Sequence, residues 1–281
     1  MNPKIVDSKI VDMKVCAGIV TFNPNLRLLT ENIEAIYKQV NQIIIFDNGS
    51  DNVNEIEGLI IDKNIHLIKC ELNKGIAFAL NRLCEWAYNN EYKWILTLDQ
   101  DSISPSNLVS ELKPYSKYKG IAIIAPEIIY RNNEKYTVVR KKNFKFVNWV
   151  ITSASLTNTS IWKKIHGFDE KLFIDCVDFD YGVRVNRAGY KIIKVFSTYL
   201  LHDLGKLKCR QLFGKTIYIT NHSANRYYYM VRNNIYLKKK LNVGKPIWST
   251  FKHIVKIVFF ERDKCAKMLS IMKGIKDGMA Y

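Results

Sequence analysis

Short apolar runs rich in β-branched residues alternate with longer helical patterns along the first hundred residues. The apolar runs lie at 15–20, 43–46, 65–68 and 94–98, and the helical patterns lie at 26–40 and 76–88. Asn23 and Pro24 stand where a helix cap and a first helical position are expected, so they predict the start of the first helix. This alternation predicts an α/β fold with a mixed, mostly parallel sheet flanked by helices.

The alternation continues into the second half of the chain and then stops. Strands are predicted at 121–125, 147–151 and 191–196, and helices at 160–165 and 178–187. Beyond residue 196 the pattern becomes basic, helical and amphipathic. We therefore expect a main domain at 1–205, divided into halves at 14–102 and 103–205, and a basic helical C-terminal extension at 206–281.

The chain is long enough, at 281 residues with 48% hydrophobic content, to bury a substantial core. Its net charge of +17 is concentrated at one end, because residues 206–281 contain 17 lysines and arginines against three acidic residues, a net of +14. Such a segment attracts nucleic acid, anionic lipid head groups or a diphosphate-bearing substrate. Charge alone does not choose among these partners.

Six cysteines are scattered without a Cys-x-x-Cys pair, and the N-terminus opens no apolar signal region. These features predict a reduced, cytoplasmic compartment. No apolar run reaches the roughly 18 residues that a spanning helix needs, since Lys256 interrupts the most apolar late run at 254–260. We therefore expect the chain not to cross a membrane.

Polar residues follow each of the first four apolar runs. In an open α/β sheet the ligand binds outside the carboxyl ends of the strands, so chemistry is expected at these positions. They are Thr21-Phe22-Asn23, Asp47-Asn48-Gly49-Ser50, Glu71-Leu72-Asn73-Lys74-Gly75 and Asp99-Gln100-Asp101-Ser102. We expect all four segments to converge on one rim of the sheet.

Asp99 and Asp101 give the sharpest chemical signal. Two carboxylates on a turn offer the oxygen ligands that Mg²⁺ or Mn²⁺ prefers, and such an ion bridges the diphosphate of a nucleotide-sugar. A neutral imidazole at His202 completes this metal shell with Asp101, unless it is a structural histidine. The alternative for the triplet is a helix cap near Pro105, but its position directly after a strand favours the metal site.

Two further turns carry candidate nucleotide-binding groups. Asp47 and Gly49 form a tight turn at which a base can approach backbone and carboxylate together. Lys74 is placed to meet a phosphate, and Gly75 to open a helix. Taken alone, the first is better explained as an ordinary Asp-Asn-Gly turn, and the second is equally well explained as a solvated lysine in a loop.

A second acidic cluster is formed by Asp175, Asp178 and Asp180. Clustered carboxylates suit a general base that accepts a hydroxyl proton, and Asp178 is our choice for that base. The alternative is helix capping together with an ion pair between Asp180 and Arg184, which lie one helical turn apart.

In order and spacing, these segments resemble the family 2 glycosyltransferases of the GT-A fold, and among them the bacterial rhamnosyltransferases. The similarity covers most of the chain, from Ala17 to about Asn234. Val177 departs from the pattern, because the family usually has Glu before the base. The motifs that carry the resemblance are Ala17-Gly18-Ile19-Val20-Thr21-Phe22-Asn23-Pro24, Ile44-Ile45-Phe46-Asp47-Asn48-Gly49-Ser50, Asn73-Lys74-Gly75-Ile76-Ala77, Leu98-Asp99-Gln100-Asp101-Ser102, Gly167-Phe168-Asp169-Glu170, Leu201-His202-Asp203 and Tyr228-Tyr229-Met230-Val231-Arg232-Asn233.

The resemblance implies a role for each matching residue. Asp101 and His202 are implied as metal ligands and Asp178 as the catalytic base, with Asp175 as an alternative. Trp149, Asp175 and Arg232 are implied to contact the substrate on its acceptor or diphosphate side. Nucleotide-sugar binding is implied for Thr21, Asn23, Asp47, Asn48, Lys74, Gly75, Asp99 and Gln100, with the 14–102 half as the nucleotide-sugar half and the 103–205 half as the acceptor half.

The implied enzyme is an inverting glycosyltransferase that depends on Mg²⁺ or Mn²⁺. Its implied donor is dTDP-L-rhamnose, with UDP-glucose or UDP-galactose as alternatives, and its implied acceptor is a lipid-linked or growing saccharide in cell-surface polysaccharide biosynthesis. We therefore expect peripheral contact between the basic extension and the inner face of the cytoplasmic membrane. Packing on the main domain is the alternative for the aromatic residues of the extension, Trp248, Phe251, Phe259 and Phe260.

Two other classes of protein explain the sequence less well. A nucleotidyltransferase shares the sheet and the metal but carries a Gly-rich, basic loop after its first strand, which residues 21–24 lack. A nucleic-acid-binding protein explains the basic extension but leaves Asp99, Asp101 and Asp178 without a role. We therefore expect no nucleic-acid partner.

Overall fold

The computed structural model describes residues 13–61, 63–130, 144–202, 208–212 and 215–281, excluding the side chains at 130, 202, 208–212 and 215–218. The chain divides into two compact units. The first contains Met1–Lys171 and Asp178–His202, and the second contains Leu172–Val177 and Asp203–Tyr281. The boundary predicted at residue 205 lies close to the start of the C-terminal part at Asp203, but the grouping of residues 172–177 with that part has no signal in the local sequence pattern.

A sheet runs through the described part of the first unit, in the strand order β3-β2-β1-β4-β7-β5-β8-β6. The neighbours among β1 to β4 are parallel, as are β5 and β8, whereas β7 and β6 pair antiparallel with their neighbours. The mixed, mostly parallel sheet expected from the sequence is therefore confirmed. The strands are β1 (Val15–Thr21), β2 (Gln42–Asp47), β3 (Ile65–Lys69), β4 (Trp94–Asp99), β5 (Ile121–Tyr130), β6 (Phe144–Val147), β7 (Ser155–Asn158) and β8 (Lys191–His202).

Helices flank this sheet, and a short 3₁₀ segment at Lys113–Lys117 follows one of them. Asn25 caps the first helix, since its side chain accepts a hydrogen bond from the backbone N–H of Leu28 at 3.2 Å. The cap predicted at Asn23 is wrong, because the amide of Asn23 instead binds the loop after β2. The helices are α1 (Leu26–Tyr37), α2 (Val53–Ile60), α3 (Ile76–Asn89), α4 (Leu108–Leu112), α5 (Thr159–Lys164) and α6 (Val177–Arg187).

Two predicted strands differ from the structure. The strand predicted at 147–151 is wrong, since β6 ends at Val147 and an ordered loop follows. Side chains stabilise that loop, because the hydroxyls of Thr97 and Ser155 each donate to one of its carbonyl groups at 2.6 Å. The strand predicted at 191–196 is longer, because pairing with β5 continues to His202. Neither α2 nor β7 was predicted.

The core of the first unit surrounds the central strands. All seven residues of β1 are buried, as expected for a parallel strand covered on both faces. The apolar stripe of α1, formed by Leu29, Ile33 and Ile36, is buried in this core. This packing holds the carboxyl ends of β1 and its neighbours in a fixed register.

The described residues of the second unit form an antiparallel hairpin and three helices. The hairpin consists of β9 (Lys208–Leu212) and β10 (Lys215–Ile219), and the helices are α7 (Ala224–Leu241), α8 (Pro246–Phe260) and α9 (Lys264–Ala280). The extension predicted as helical therefore begins with a hairpin. Within the described residues, the search for a helix of sufficient length and apolar character to span a membrane finds none.

A buried polar network lies in the second unit. The Lys267 ammonium donates to Glu261 Oε2 at 2.9 Å and to Asn221 Oδ1 at 2.8 Å, and the Tyr227 hydroxyl donates to Glu261 Oε1 at 2.7 Å. The side chains of Lys267 and Glu261 are 2% and 0% exposed. Because each charge is paired and hydrogen-bonded, burial of this ion pair is tolerated.

Candidate active site

The carboxyl ends of four parallel strands meet at one edge of the sheet in the first unit. Thr21 at the end of β1 stands opposite Asp47 at the end of β2, which in turn stands opposite Lys69 of β3. On the other side of β1, Val20 stands opposite Asp99 of β4. We call the segments that follow these four strands the rim. The expected convergence of their polar residues is present in the structure.

Asp47 organises the turn after β2. Its carboxylate accepts hydrogen bonds from the Thr21 hydroxyl at 2.9 Å, from the backbone N–H of Ser50 at 2.9 Å and from the Ser50 hydroxyl. Gly49 has a φ of +85°, and a Cβ at this position would lie 2.8 Å from the backbone nitrogen of Asn73. Glycine is therefore required where the turns after β2 and β3 approach each other.

Asn48 joins the turn after β2 to the loop before α3. Its Nδ2 donates to Asn73 Oδ1 at 3.0 Å, and its Oδ1 accepts from the backbone N–H of Lys74 at 3.0 Å. Gly75, with a φ of +89°, precedes the first residue of α3. The side chain of Lys74 is exposed, with its ammonium 4.9 Å from the ring centroid of Phe78. This places a cation beside the N-terminus of α3.

Asn23 and Gln100 tie neighbouring loops of the rim together. The backbone N–H of Asn23 donates to Ser50 Oγ at 2.8 Å, and its Oδ1 accepts from the backbone N–H of Asp51 at 2.8 Å. Gln100 Oε1 accepts from the backbone N–H of Phe22 at 2.8 Å. These side-chain oxygens therefore hold the loops after β1, β2 and β4 in position relative to one another.

Hydrogen bonds fix the turn that carries Asp101. The carbonyl of Asp99 accepts from Asn32 Nδ2 at 2.6 Å, and its backbone N–H donates to Ser153 Oγ at 3.4 Å. The hydroxyls of Ser153 and Ser102 lie 2.8 Å apart. Asp101 itself is exposed. A carboxylate on a fixed turn is thus presented at the rim.

Backbone pairing brings the second predicted metal ligand towards this turn. An isolated antiparallel bridge joins Ile103 to Leu201, so the backbone of His202 follows directly beside that of Ser102. The His202 side chain lies outside the described part of the structure. Among the described side chains, no group of three or more His, Cys, Asp or Glu residues is arranged to hold a metal ion.

The donor chemistry of Asp101 nevertheless fits a divalent cation. Mg²⁺ is usually bound through one or two carboxylates together with substrate phosphates, so a complete cage of protein ligands is not required. An imidazole at His202 would add a ligand that Mn²⁺ accepts. The exposed carboxylate of Asp101 leaves room for phosphate oxygens beside it.

The acidic cluster has one member with a structural role. Asp180 is fully buried and pairs with Arg184, whose Nε lies 2.7 Å from Asp180 Oδ2. The same guanidinium donates to the carbonyls of Ile165 at 2.8 Å and Gly167 at 2.6 Å. Asp178 is the second residue of α6 and is half-buried. Of the two interpretations, the ion pair therefore applies to Asp180, and Asp178 stays a candidate base.

Asn81 of α3 holds the segment that precedes α6, and sequence reasoning missed it. Its Oδ1 accepts from the backbone N–H of Phe168 at 2.8 Å and from Trp162 Nε1 at 3.1 Å, and its Nδ2 donates to Glu170 Oε1 at 2.8 Å. Gly167 has a φ of +62°, and a Cβ there would lie 2.6 Å from Asn81 Oδ1. The signal in the sequence was that Asn81 is a polar residue among the apolar residues on the buried face of α3.

Trp149 lies against the first turns of α6. Its ring packs edge-on against Phe179, with ring centroids 6.0 Å apart, and is 46% exposed. A Cβ at Gly182 would lie 2.6 Å from Trp149 Cβ, so glycine allows this close approach. An exposed indole beside the residue that follows Asp178 suits contact with a saccharide acceptor.

Asp175 and Arg232 are engaged within the second unit. The Asp175 carboxylate accepts from Arg226 Nη2 at 3.0 Å and from its Nε at 3.3 Å. Arg232 is buried, donates from Nε and Nη2 to Asn233 Oδ1 at 2.9 and 2.7 Å, and lies 4.8 Å from the ring centroid of Tyr229. No role was predicted for Arg226 or for the side chain of Asn233, because Asp175 and Ile174, which they bind, are more than 50 residues away along the chain.

A sequence comparison decides what kind of protein carries this rim. The model of the family described as "Glycosyl transferase family 2" matches residues 16–179, which is more than half of the chain. The chain belongs to glycosyl transferase family 2. The matched span of this glycosyltransferase contains the ends of β1 to β4, Asp101 and Asp178, so the whole rim lies within it.

One curated relative resembles this glycosyltransferase along nearly its whole length. The dTDP-rhamnosyl transferase RfbF of Shigella flexneri is 26% identical over 291 residues, which cover 96% of each chain. The similarity therefore extends beyond the family span into the helices of the second unit.

Solved structures confirm the expected GT-A fold of this glycosyltransferase. GalNAc-T7 with UDP, GalNAc and Mn²⁺ has a TM-score of 0.60 at 12% identity, covering 81% of this chain and 48% of that one, so the chain spans about half of it. TarS 1–349 of S. aureus has a TM-score of 0.55 at 13% identity, covering 96% of this chain and 72% of that one. At such low identity these structures establish the fold alone.

Proposed function

We propose that this glycosyltransferase transfers L-rhamnose from dTDP-L-rhamnose, with inversion, to a lipid-linked or growing saccharide of a cell-surface polysaccharide. The relative named as a dTDP-rhamnosyl transferase, at 26% identity across 96% of both chains, supports this donor. The observation that carries the reaction class is the meeting of three strand ends, with Thr21 of β1 opposite Asp47 of β2 and Asp99 at the end of β4, the other neighbour of β1. Asp101 is exposed on the turn that follows β4.

In this proposal the nucleotide binds against the turns after β1, β2 and β3. Asp47 acts there mainly by fixing its turn, because its carboxylate already accepts from Thr21 and Ser50. Lys74 supplies positive charge to the diphosphate, supported by its exposed position beside the N-terminus of α3. Asp99 lies on the ribose side.

The acceptor hydroxyl is activated by Asp178 in this proposal. The N-terminal turn of α6 stabilises an ionised carboxylate at that position, which keeps Asp178 able to accept a proton. Asp180 is a poorer candidate, since it is buried against Arg184. Asp101 and His202 would hold a divalent cation, which when bound neutralises the charge that develops on the departing diphosphate.

A donor panel tests the proposed reaction. Purified protein is incubated with membrane extract as the acceptor source, MnCl₂ or MgCl₂, and one donor at a time, and the released nucleotide is quantified. We expect release of dTDP from dTDP-L-rhamnose to exceed release of UDP from UDP-glucose or UDP-galactose by about tenfold or more. Faster release of UDP would assign the enzyme to another donor.

Replacing Asp101 tests the metal site with a matched control. Asp101→Asn should lower transfer by roughly 10²-fold and weaken Mn²⁺ binding measured by electron paramagnetic resonance. Glu91→Gln changes an exposed carboxylate in the turn before β4, at the opposite end of the same strand, and should change neither. Unchanged Mn²⁺ binding by the Asp101 variant would remove this residue from the metal site.

We infer a cytoplasmic enzyme that contacts the membrane surface through α8. The described cysteines at 16, 70, 84, 176 and 265 are free thiols, which suits a reducing compartment. One face of α8, here called the apolar α8 face, has side chains with exposed fractions between 44% and 87%, and at 100° per residue they fall within about a third of the helix circumference. They are Ile247, Trp248, Phe251, Val258 and Phe259.

Lysines border the apolar α8 face and favour an anionic lipid surface. Lys252 lies 5.3 Å from the ring centroid of Trp248, and Lys256 follows one turn later. An amphipathic helix of this kind lies in the lipid interface, and each lysine near anionic head groups adds about 1 kcal/mol.

Vesicle co-sedimentation tests the membrane contact. The protein should sediment with vesicles that contain phosphatidylglycerol, less with phosphatidylcholine alone, and less in high salt. The double variant Phe251→Glu with Phe259→Glu should stay in solution, whereas Ile61→Glu, at a side chain 80% exposed in the first unit, should sediment normally. Equal sedimentation of both variants would contradict binding through α8.

A further inference from the structure

The turn that leads into α6 has an unusual backbone. Asp175 and Cys176 have φ angles of +64° and +65°, and Val177, the first residue of α6, follows directly. Two successive residues other than glycine in the left-handed region are unfavourable, and such a conformation persists only where its surroundings hold it. We call residues 174–176 the α6 entry turn.

Two side chains of α7 hold the α6 entry turn. Asn233 donates from Nδ2 to the carbonyls of Ile174 at 2.7 Å and Asp175 at 3.0 Å, and Arg226 pairs with the Asp175 carboxylate through two nitrogens. Asn233 is fully buried. Asn233 follows Arg226 by seven positions, so both lie on one side of α7, about two turns apart.

A second set of contacts orients these holding groups. Arg232 donates two hydrogen bonds to Asn233 Oδ1, which leaves the amide nitrogen directed at the two carbonyls of the entry turn. Phe173, directly before the turn, stacks on Tyr229 with ring centroids 5.0 Å apart and an interplanar angle of 14°. The turn is thus fixed by its carbonyls, by its carboxylate and by the aromatic ring before it.

We propose that Asn233 and Arg226 are positioning residues for the base Asp178, an inference that rests on the proposed function. Because Asp178 is the second residue of α6, the dihedral angles of the entry turn determine the position of its carboxylate. A displacement of about 1 Å at a reacting group can lower the rate by roughly 10²-fold. Loss of either contact therefore impairs proton removal more than donor binding.

Steady-state kinetics on the full-length enzyme test this inference. Asn233→Ala should lower kcat by about 10- to 100-fold while the KM for the donor changes by less than about threefold. Asn234→Ala is the matched control, because the amide of this neighbouring residue donates to the Met230 carbonyl of its own helix at 2.7 Å, and the variant should keep a normal kcat.

Rescue by glycine separates positioning from a general structural role. Cys176→Gly removes the cost of the left-handed backbone at one of its two residues, so adding it to Asn233→Ala should restore part of the lost kcat. Arg226→Gln should lower kcat in the same way, and Arg226→Lys less. A normal kcat in Asn233→Ala, or a loss that Cys176→Gly leaves unchanged, would overturn the inference.

Asp178→Asn, assayed in parallel, distinguishes failure of this inference from failure of the proposed function. If Asp178→Asn keeps normal turnover, the assignment of the base is wrong and the proposed mechanism fails with it. If Asp178→Asn is inactive but Asn233→Ala has a normal kcat, the base assignment stands and only the positioning role is refuted.

Discussion

Helices α7 and α9 approach each other closely at two glycines, and adding one methyl group there should destabilise the second unit. A Cβ at Gly274 would lie 2.7 Å from the backbone oxygen of Tyr228, and one at Gly278 would lie 2.9 Å from that of Arg232. Ordinary contacts begin at 3.4 Å, so Gly274→Ala requires the backbones to separate by roughly 0.7 Å. Small residues spaced four apart allow such an approach.

The expected magnitude follows from two opposing effects. Alanine is favoured over glycine within a helix by about 1 kcal/mol, whereas overpacking costs about 1–3 kcal/mol. Gly58 of α2 provides the matched control, because a Cβ there meets no atom within 4 Å. We expect Gly58→Ala to raise the free energy of unfolding by about 1 kcal/mol and Gly274→Ala to be about 1–3 kcal/mol less stable than Gly58→Ala.

Thermal and urea denaturation, followed by circular dichroism at 222 nm, measure the difference. A gap of this size corresponds to several degrees in Tm, at about 2–4 °C per kcal/mol for a protein of this size. If Gly274→Ala is as stable as Gly58→Ala, the two helices do not approach as closely as described.

Three further predictions concern partly or fully buried ionisable groups. Asp180→Asn should lower the free energy of unfolding by about 3 kcal/mol, because it leaves the Arg184 guanidinium partly buried without its carboxylate; urea denaturation measures this. Lys267→Met should cost about 3–5 kcal/mol, and adding Glu261→Leu should recover much of it, whereas an additive loss in the same assay would refute the coupling. Burial, with Lys256 nearby, lowers the pKa of His253, so stability should fall as pH decreases from about 7 to 5, and His253→Gln should flatten that slope in Tm measurements.

The sheet and the rim follow from local patterns that are visible in the sequence. Apolar runs of strand length and a helical repeat at Leu29, Ile33 and Ile36 indicate which segments pair and which cover the sheet. Strand-end residues such as Asp47 and Asp99 then fall at one edge, because parallel strands share a direction. The order and spacing of these motifs were sufficient to identify the family.

Several errors come from segments whose conformation depends on distant partners. Residues 148–151 have an apolar strand-like composition, but the hydroxyl of Ser155 donates to the carbonyl of Ile151, and that of Thr97 to the carbonyl of Thr152, so the segment is held as a loop. The cap was placed at Asn23 instead of Asn25, because both asparagines suit a helix start and only the contact with Asp51 distinguishes them.

By itself the sequence determined the strand alternation, the acidic turn after β4 and the basic C-terminal end, since each depends on neighbouring residues. Only the tertiary structure decided which acidic side chains already have hydrogen-bond or ion-pair partners. Asp47 accepts from Thr21 and Ser50, Asp180 pairs with Arg184, and Asp175 pairs with Arg226. Two of these partners are distant along the chain, since Thr21 is 26 residues from Asp47 and Arg226 is 51 residues from Asp175. Such pairs follow no periodic pattern, so they appear only when packing brings the elements together.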